Sequence, residues 1–164
     1  MRSRTAKWFI CKVRFEKTME DGLQKKVTEI YVVDALSFTE AEARITEQMS
    51  SYISGEFSIE NIDPAPFGEI FFSDGETDDK WYKAKLAFIT IDEKTDKEKR
   101  SIVNYLVQGG SFDQAKKHIE EVMGGTMIDY VIDTLKETKY MDVFEYVAKK
   151  EENSNTGNTQ ATES

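Results

Sequence analysis

Lys7-Trp8-Phe9-Ile10-Cys11-Lys12-Val13-Arg14-Phe15 and Lys80-Trp81-Tyr82-Lys83-Ala84-Lys85-Leu86-Ala87-Phe88 are one pattern written twice. Each alternates between an apolar side and a mixed side, the period-2 mark of a strand with one buried face. At an offset of 73, Trp8 meets Trp81, Lys12 meets Lys85 and Phe15 meets Phe88. At 74, Tyr31, Val33, Ser37, Phe38, Ala41, Ile45 and Met49 meet Tyr105, Val107, Ser111, Phe112, Ala115, Ile119 and Met123. The offset then returns to 73, laying Phe57, Ile59 and Ile62 on Tyr130, Ile132 and Leu135, and Phe67, Glu69 and Phe71 on Tyr140, Asp142 and Phe144. A repeat of this kind decides how everything around it is read.

Phe9, Cys11, Val13 and Phe15 are the expected core side of the first strand, with Tyr82, Ala84, Leu86 and Phe88 in the second copy. The polar turns 19–22 and 92–96 lead into β-branched runs at 27–33 and 102–107, the returning strands of two hairpins. Ser37-Phe38-Thr39-Glu40 and Ser111-Phe112-Asp113-Gln114 fit the capping box, in which a hydroxyl satisfies a free amide at the helix start. From there Phe38, Ala41, Ile45 and Met49, and Phe112, Ala115, Ile119, Val122 and Met123, form apolar stripes at helical spacing. Gly55 and Gly124-Gly125 stand where a left-handed helix cap is expected. Short strands at 57–62 and 67–72, and at 130–135 and 140–147, complete each copy.

The fold class is therefore α+β, a tandem duplication of a strand-strand-helix-strand-strand unit with antiparallel sheets, one helix per repeat and a pseudo-two-fold arrangement. Residues 1–73 form the first repeat, 74–79 an acidic linker and 80–148 the second repeat. Residues 149–164 are polar without apolar anchors and are expected to be a disordered tail. Repeats of roughly 70 residues are marginal alone, so the two are expected to fold as one globular unit.

No apolar run reaches the roughly 20 residues that cross a bilayer, and Lys12 and Arg14 break the first apolar strand, so no signal-peptide core follows the basic start. A cytoplasmic protein without membrane attachment is expected. The formal charge of −9 argues against broad adhesion to nucleic acid or anionic lipid but leaves room for a locally basic face. The single cysteine, Cys11, is matched by Ala84 and reads as a buried filler.

The candidate binding face lies opposite the core. There Trp8 stands with Lys12 and Arg14, Trp81 with Lys83 and Lys85, and the returning strands add Lys26 and Arg100. A flat aromatic that stacks a base, worth about 1–3 kcal/mol, beside cations that track phosphates is what holds single-stranded nucleic acid. The leading expectation is thus a non-enzymatic protein that binds single-stranded DNA or RNA. The competing reading buries Trp8 and Trp81 under a loop or between repeats, with Glu69 and Asp142 neutralising Lys12 and Lys85. The alternative function is an adaptor or structural module whose exposed sheet edges or faces bind a protein partner, with the tryptophans as anchors. Exposed indoles favour the first reading; buried indoles favour the adaptor or a plain core.

Other chemistry fails on residue type and spacing. Asp74, Glu76 and Asp78 begin like a calcium loop, but Asp79 stands where glycine is needed and Lys85 where glutamate is needed. His118, matched by Arg44, reads as a surface cation site, and with no second histidine neither a nucleophile-base pair nor a zinc site is built. Gly109-Gly110 lacks the pattern of a phosphate loop. No catalytic residue, cofactor or metal is expected.

Over Lys7 to Val13, Asp34-Ala35-Leu36-Ser37-Phe38-Thr39-Glu40-Ala41-Glu42 and Phe67-Gly68-Glu69-Ile70-Phe71 the chain resembles a family of unknown function from gut anaerobic bacteria and their phages. The resemblance covers most of the chain before the tail and implies no activity or site residue. The arrangement is also similar to the duplicated sheet-and-helix Pur and Whirly proteins, which bind single-stranded nucleic acid but run four strands before each helix, so the similarity is one of fold alone.

Overall fold

The computed structural model describes residues 1–146 and is an α+β protein with two helices and two mixed, strand-rich sheets. The expected disordered tail at 149–164 lies outside the described residues. The chain divides into two compact units, one made of Met1–Ala6 with Pro66–Met141, the other of Lys7–Ala65 with the described residues from 142.

The first unit holds β1 (Arg2–Thr5), β5 (Glu69–Phe72), β6 (Lys80–Ile91), β7 (Glu98–Gly109), α2 (Phe112–Gly124) and β8 (Asp129–Glu137). The second holds β2 (Trp8–Thr18), β3 (Gln24–Asp34), α1 (Phe38–Tyr52), β4 (Phe57–Pro64) and, straddling the division, β9 (Tyr140–Phe144). Their sheets run β1-β5-β7-β6-β8 and β4-β2-β3-β9.

Both hairpins form where period-2 alternation places them. In the second unit Phe9, Cys11 and Val13 pack with Tyr31 and Val33 under Ala41, Ile45 and Met49 of α1. In the first, Tyr82, Ala84 and Leu86 pack with Tyr105 and Val107 under Ala115, Ile119 and Met123 of α2. Ser37 and Ser111 are the helix N-caps, their hydroxyls accepting the backbone N–H of Glu40 at 3.1 Å and Gln114 at 3.2 Å. Phe38 and Phe112, expected in the apolar stripes, are each 52 % exposed, and the stripes that meet the sheets start at Ala41 and Ala115.

Three further expectations are corrected. The sheets are not purely antiparallel: β5 runs parallel to β7, with Glu69, Ile70 and Phe71 opposite Tyr105, Leu106 and Val107. The connection between them spans β6 and is long enough for a parallel pair. The last strand of each expected repeat also lies outside the sheet of its own hairpin, since β5 sits between β1 and β7, and β9 beside β3. Ile70, Phe71 and Phe72 are all buried, and a strand apolar on both faces belongs inside a sheet. Finally, neither helix ends on a left-handed glycine. Ile53, extended, caps α1, and Gly125 caps α2 at φ −79°.

The outer strands β4 and β8 each carry a bulge. Glu60 is the extra residue opposite the Lys12/Val13 step, and Asp133 opposite Lys85/Leu86. A bulge bearing an acid twists and charges a sheet edge, which discourages pairing with another chain. Gly109 serves close packing instead of phosphate binding: an added Cβ would lie 3.1 Å from the backbone nitrogen of Ala115 in α2. Gly109→Ala is therefore expected to cost about 1–3 kcal/mol by pushing α2 from the sheet, measurable as a lower urea midpoint with an unchanged slope.

Candidate functional site

The hairpin registers decide which candidate residues share a face. On the second unit's sheet, Trp8 pairs with Asp34, Lys12 with Ile30, Arg14 with Thr28 and Glu16 with Lys26. Trp8, Lys12, Arg14 and Lys26 thus share the face away from α1. On the first unit's sheet, Trp81 pairs with Gln108, Lys83 with Leu106, Lys85 with Asn104 and Ile89 with Arg100, so Trp81, Lys83, Lys85 and Arg100 likewise share the face away from α2.

The aromatic half of the expected platform is absent from the surface. Trp8 is 2 % and Trp81 3 % exposed. Trp81 meets Phe72 edge-on, ring centroids 5.8 Å apart at 84°, and its carbonyl accepts the backbone N–H of Thr138 at 2.8 Å and its hydroxyl at 2.9 Å. The carbonyl of Trp8 accepts the N–H of Ala65 at 2.9 Å. Indoles buried to this extent offer no face to a base.

The cationic half is present. Lys12, Arg14, Lys26, Lys83, Lys85 and Arg100 are exposed. Arg100 pairs with Glu98 at 3.8 Å, and among the described residues the other five make no ion pair. Lys83 reaches towards the Tyr140 ring, 5.8 Å from its centroid. Glu69 and Asp142 do not neutralise Lys12 or Lys85: Glu69 is in register with Thr5 and Tyr105, and Asp142 lies half-buried on β9. The faces are charged, but their tryptophans are buried and the Tyr140 ring beside Lys83 is half-buried, so no exposed aromatic accompanies the cations. Beside the cations on the first unit's sheet are aliphatic side chains: the Ala87 row is flanked by Ile102, 52 % exposed, and Val131, 40 % exposed.

Arg14 and Lys26 also line an open groove of about 570 Å³ with Glu16, Gln24, Glu56 and Ser58. Its carboxylates balance its cations, so its charge selects no particular ligand.

The groups that could react are occupied structurally. Cys11 is fully buried, and burial pushes its thiol up to about 12, far from a thiolate at neutral pH. His118 is half-buried, not the surface cation expected, and its Nδ1 lies 2.8 Å from the carbonyl oxygen of Gln108. A carbonyl only accepts, so Nδ1 carries the proton. Arg44, also expected at the surface, is 7 % exposed, donates to the Asp34 carbonyl at 2.6 Å, and pairs with Glu40 and the Asp34 carboxylate. Among the described residues no group of three or more His, Cys, Asp or Glu is placed to hold a metal ion, and no helix is long and apolar enough to cross a membrane.

Burial raises the Asp142 carboxyl above the ordinary aspartate value, with the Val143 N–H at 2.8 Å opposing the shift. The folded chain thus binds that proton more tightly than the unfolded chain. The contribution to stability is present at acid pH and is lost as pH rises through the folded value. Asp142→Asn keeps the acceptor for Val143 and is expected to raise Tm at pH 7 by a few degrees at most, the gain disappearing on acidification to about pH 3.5.

A family model described as Domain of unknown function (DUF4494) matches residues 7–146. No curated protein matches the chain, and no solved structure does.

Proposed function

The chain belongs to the DUF4494 family, a domain of unknown function, so its role rests on its own geometry, and we propose that it is a non-enzymatic protein-binding module. The burial of both indoles, at 2 % and 3 % exposure, carries this reading, because it withdraws the stacking groups while individual aliphatic and cationic side chains, among them Ile102, Val131, Lys83 and Lys85, stay exposed on the sheet side away from α2, next to the covered Leu106 and Ile70. With no indole accessible, a base has nothing to stack on, and the exposed lysines with their aliphatic neighbours suit a charged protein segment better. We place this activity in the cytoplasm, in keeping with one buried cysteine and no disulfide framework.

A second reading, binding to the phosphates of single-stranded DNA or RNA without stacking, is favoured by the cations Lys12, Arg14, Lys26, Lys83 and Lys85, which lack ion pairs among the described residues. The two separate by anisotropy of a labelled oligonucleotide at roughly 0.05 M and 0.15 M salt. The protein-binding reading expects at most weak association at low salt, abolished at the higher salt. Micromolar binding that survives the higher salt contradicts it.

We further propose that the two-helix fold arose by tandem duplication. Four correspondences support this at the offsets of 73 and 74. Both helices start on a capping serine with nearly the same backbone angles, φ −150° and ψ 164° at Ser37 against φ −154° and ψ 166° at Ser111. Bulges follow Lys12 and Lys85. Arg44 and His118 each reach the carbonyl of the residue near the end of the returning strand, Asp34 and Gln108. Tyr146 and Ser73, just beyond the final strands, donate their backbone N–H groups to the side-chain oxygens of Asp34 and Gln108, at 2.7 and 3.0 Å. Under this reading the final strand of each copy completes the other copy's sheet, and the linker 74–79 leads from one copy to the next.

A further inference from the structure

We propose that Lys83, Lys85 and Lys136, exposed on the side of the first unit's sheet away from α2 and towards its β8 edge, where Leu106 beside Lys83 is buried, form the docking site for an extended acidic segment of a partner protein; the proposal rests on the protein-binding reading above. Lys83 stands in register between Leu106 on β7 and Lys136 on β8, and Lys85 between Asn104 and Thr134. Tyr82, Ala84 and Leu86 occupy the other face against α2, so alternation turns all three lysines away from the core. Lys83, Lys85, Asn104, Thr134 and Lys136 are exposed, and each supplies a hydrogen-bond donor.

The juxtaposition of Lys83 and Lys136 is the specific signal. Like charges directly opposite on neighbouring strands destabilise a sheet. The fold does not require the pair: in the second unit the positions two residues before the bulge-adjacent lysine are Ile10 and its partner Asp63. Nearby carboxylates do not relieve it. Glu137 is drawn to Lys80 at 3.4 Å, and neither Asp133 at the bulge nor Asp129 opposite Ile89 makes an ion pair with the three lysines among the described residues. A negative partner removes the repulsion on binding.

Charge complementarity sets the sign of the ligand, and the surroundings set its class. No exposed aromatic shares these rows for a base to stack on, whereas Ile102 and Val131 flank the next row as an aliphatic shelf. Lys83 and Lys85 are two residues apart, about 6.6 Å along the strand. An extended peptide with carboxylates at alternate positions and an aliphatic residue beyond them matches this pattern.

The test uses the full chain and three probes: a labelled peptide with glutamate at alternate positions and a terminal aliphatic pair, the same peptide with glutamine for glutamate, and a single-stranded oligonucleotide of equal charge. Three exposed ion pairs together shift affinity by about tenfold. The glutamate peptide is expected to bind about tenfold more tightly than the glutamine peptide. It is expected to lose that advantage in the combined variant Lys83→Gln, Lys85→Gln, Lys136→Gln, whose Tm stays level or rises slightly as the repulsion is removed, and to keep it in Lys12→Gln with Lys26→Gln, whose Tm is unchanged. Equal binding of both peptides, no peptide binding at millimolar concentration, or glutamate-peptide binding that persists in the combined variant overturns the site and leaves the broader protein-binding reading intact. Tighter binding of the oligonucleotide, lost in the combined variant, overturns both.

Discussion

Replacing Arg44 with alanine is expected to destabilise the folded chain by about 3–5 kcal/mol, the cost of removing one member of a buried ion pair. Its guanidinium donates to the Asp34 carbonyl at 2.6 Å, lies 3.9 Å from the Asp34 carboxylate, pairs with Glu40 and stands 5.4 Å from the Tyr146 ring centroid. Asp34 is 1 % exposed, so its carboxylate cannot exchange that cation for water. The same carboxylate accepts the Tyr146 N–H at 2.7 Å, and the Tyr146 hydroxyl donates towards the Arg44 carbonyl and Gln48, both at 3.2 Å. Loss of Arg44 therefore also loosens the segment after β9. Urea denaturation should show a lower midpoint at an unchanged slope. His118→Ala removes one neutral hydrogen bond and should cost only about 1 kcal/mol. An Arg44→Ala protein within 1 kcal/mol of the parent contradicts this account of the buried pair.

Trp81→Ala should cost about 3–5 kcal/mol, as large-to-small changes of buried aromatics do, and lower Tm by roughly 10 °C. Its indole fills space beside Phe72, whose ring also carries the Arg2 guanidinium 4.0 Å from its centroid. Lys83→Ala and Lys85→Ala, exposed on the same strand face, should stay within about 0.5 kcal/mol of the parent. A Trp81→Ala protein with the parental midpoint and a selective loss of nucleic-acid binding would restore the stacking surface that the burial of the indole removes.

Local chemistry was legible in the sequence. The serine caps at 37 and 111 depend on residues within one helical turn, and the core sides of Trp8–Thr18 and Lys80–Ile91 on neighbours two apart, so both could be read without knowing the fold. Pairing between distant segments was not legible. Glu69–Phe72 reads as a strand, but its apolar run does not name β1 and β7 as its neighbours. Arg2–Thr5 has no apolar alternation, and it becomes a strand because β5 offers an open edge.

The candidate site divides along the same line. Alternation correctly grouped Trp8 with Lys12 and Arg14, and Trp81 with Lys83 and Lys85, on the faces opposite the cores. It could not show that the tryptophans are covered, because their burial depends on distant elements, as Phe72 beside Trp81 illustrates. Lys136 escaped attention for a related reason: the extra residue Asp133 shifts the register of β8, and only that shift brings Lys136 opposite Lys83. Arg44 and His118 looked like surface cations because helical spacing shows their flank and not the strand-end carbonyls they reach.

The central claim is that the two indoles are structural and take no part in binding. The most direct test is the emission maximum and acrylamide quenching of Trp8 and Trp81 in the intact protein, recorded with and without a single-stranded oligonucleotide at low salt. Blue-shifted emission, weak quenching and no response to the oligonucleotide are expected. Red-shifted emission that acrylamide quenches readily, and that an oligonucleotide alters in a salt-dependent manner, would contradict the account.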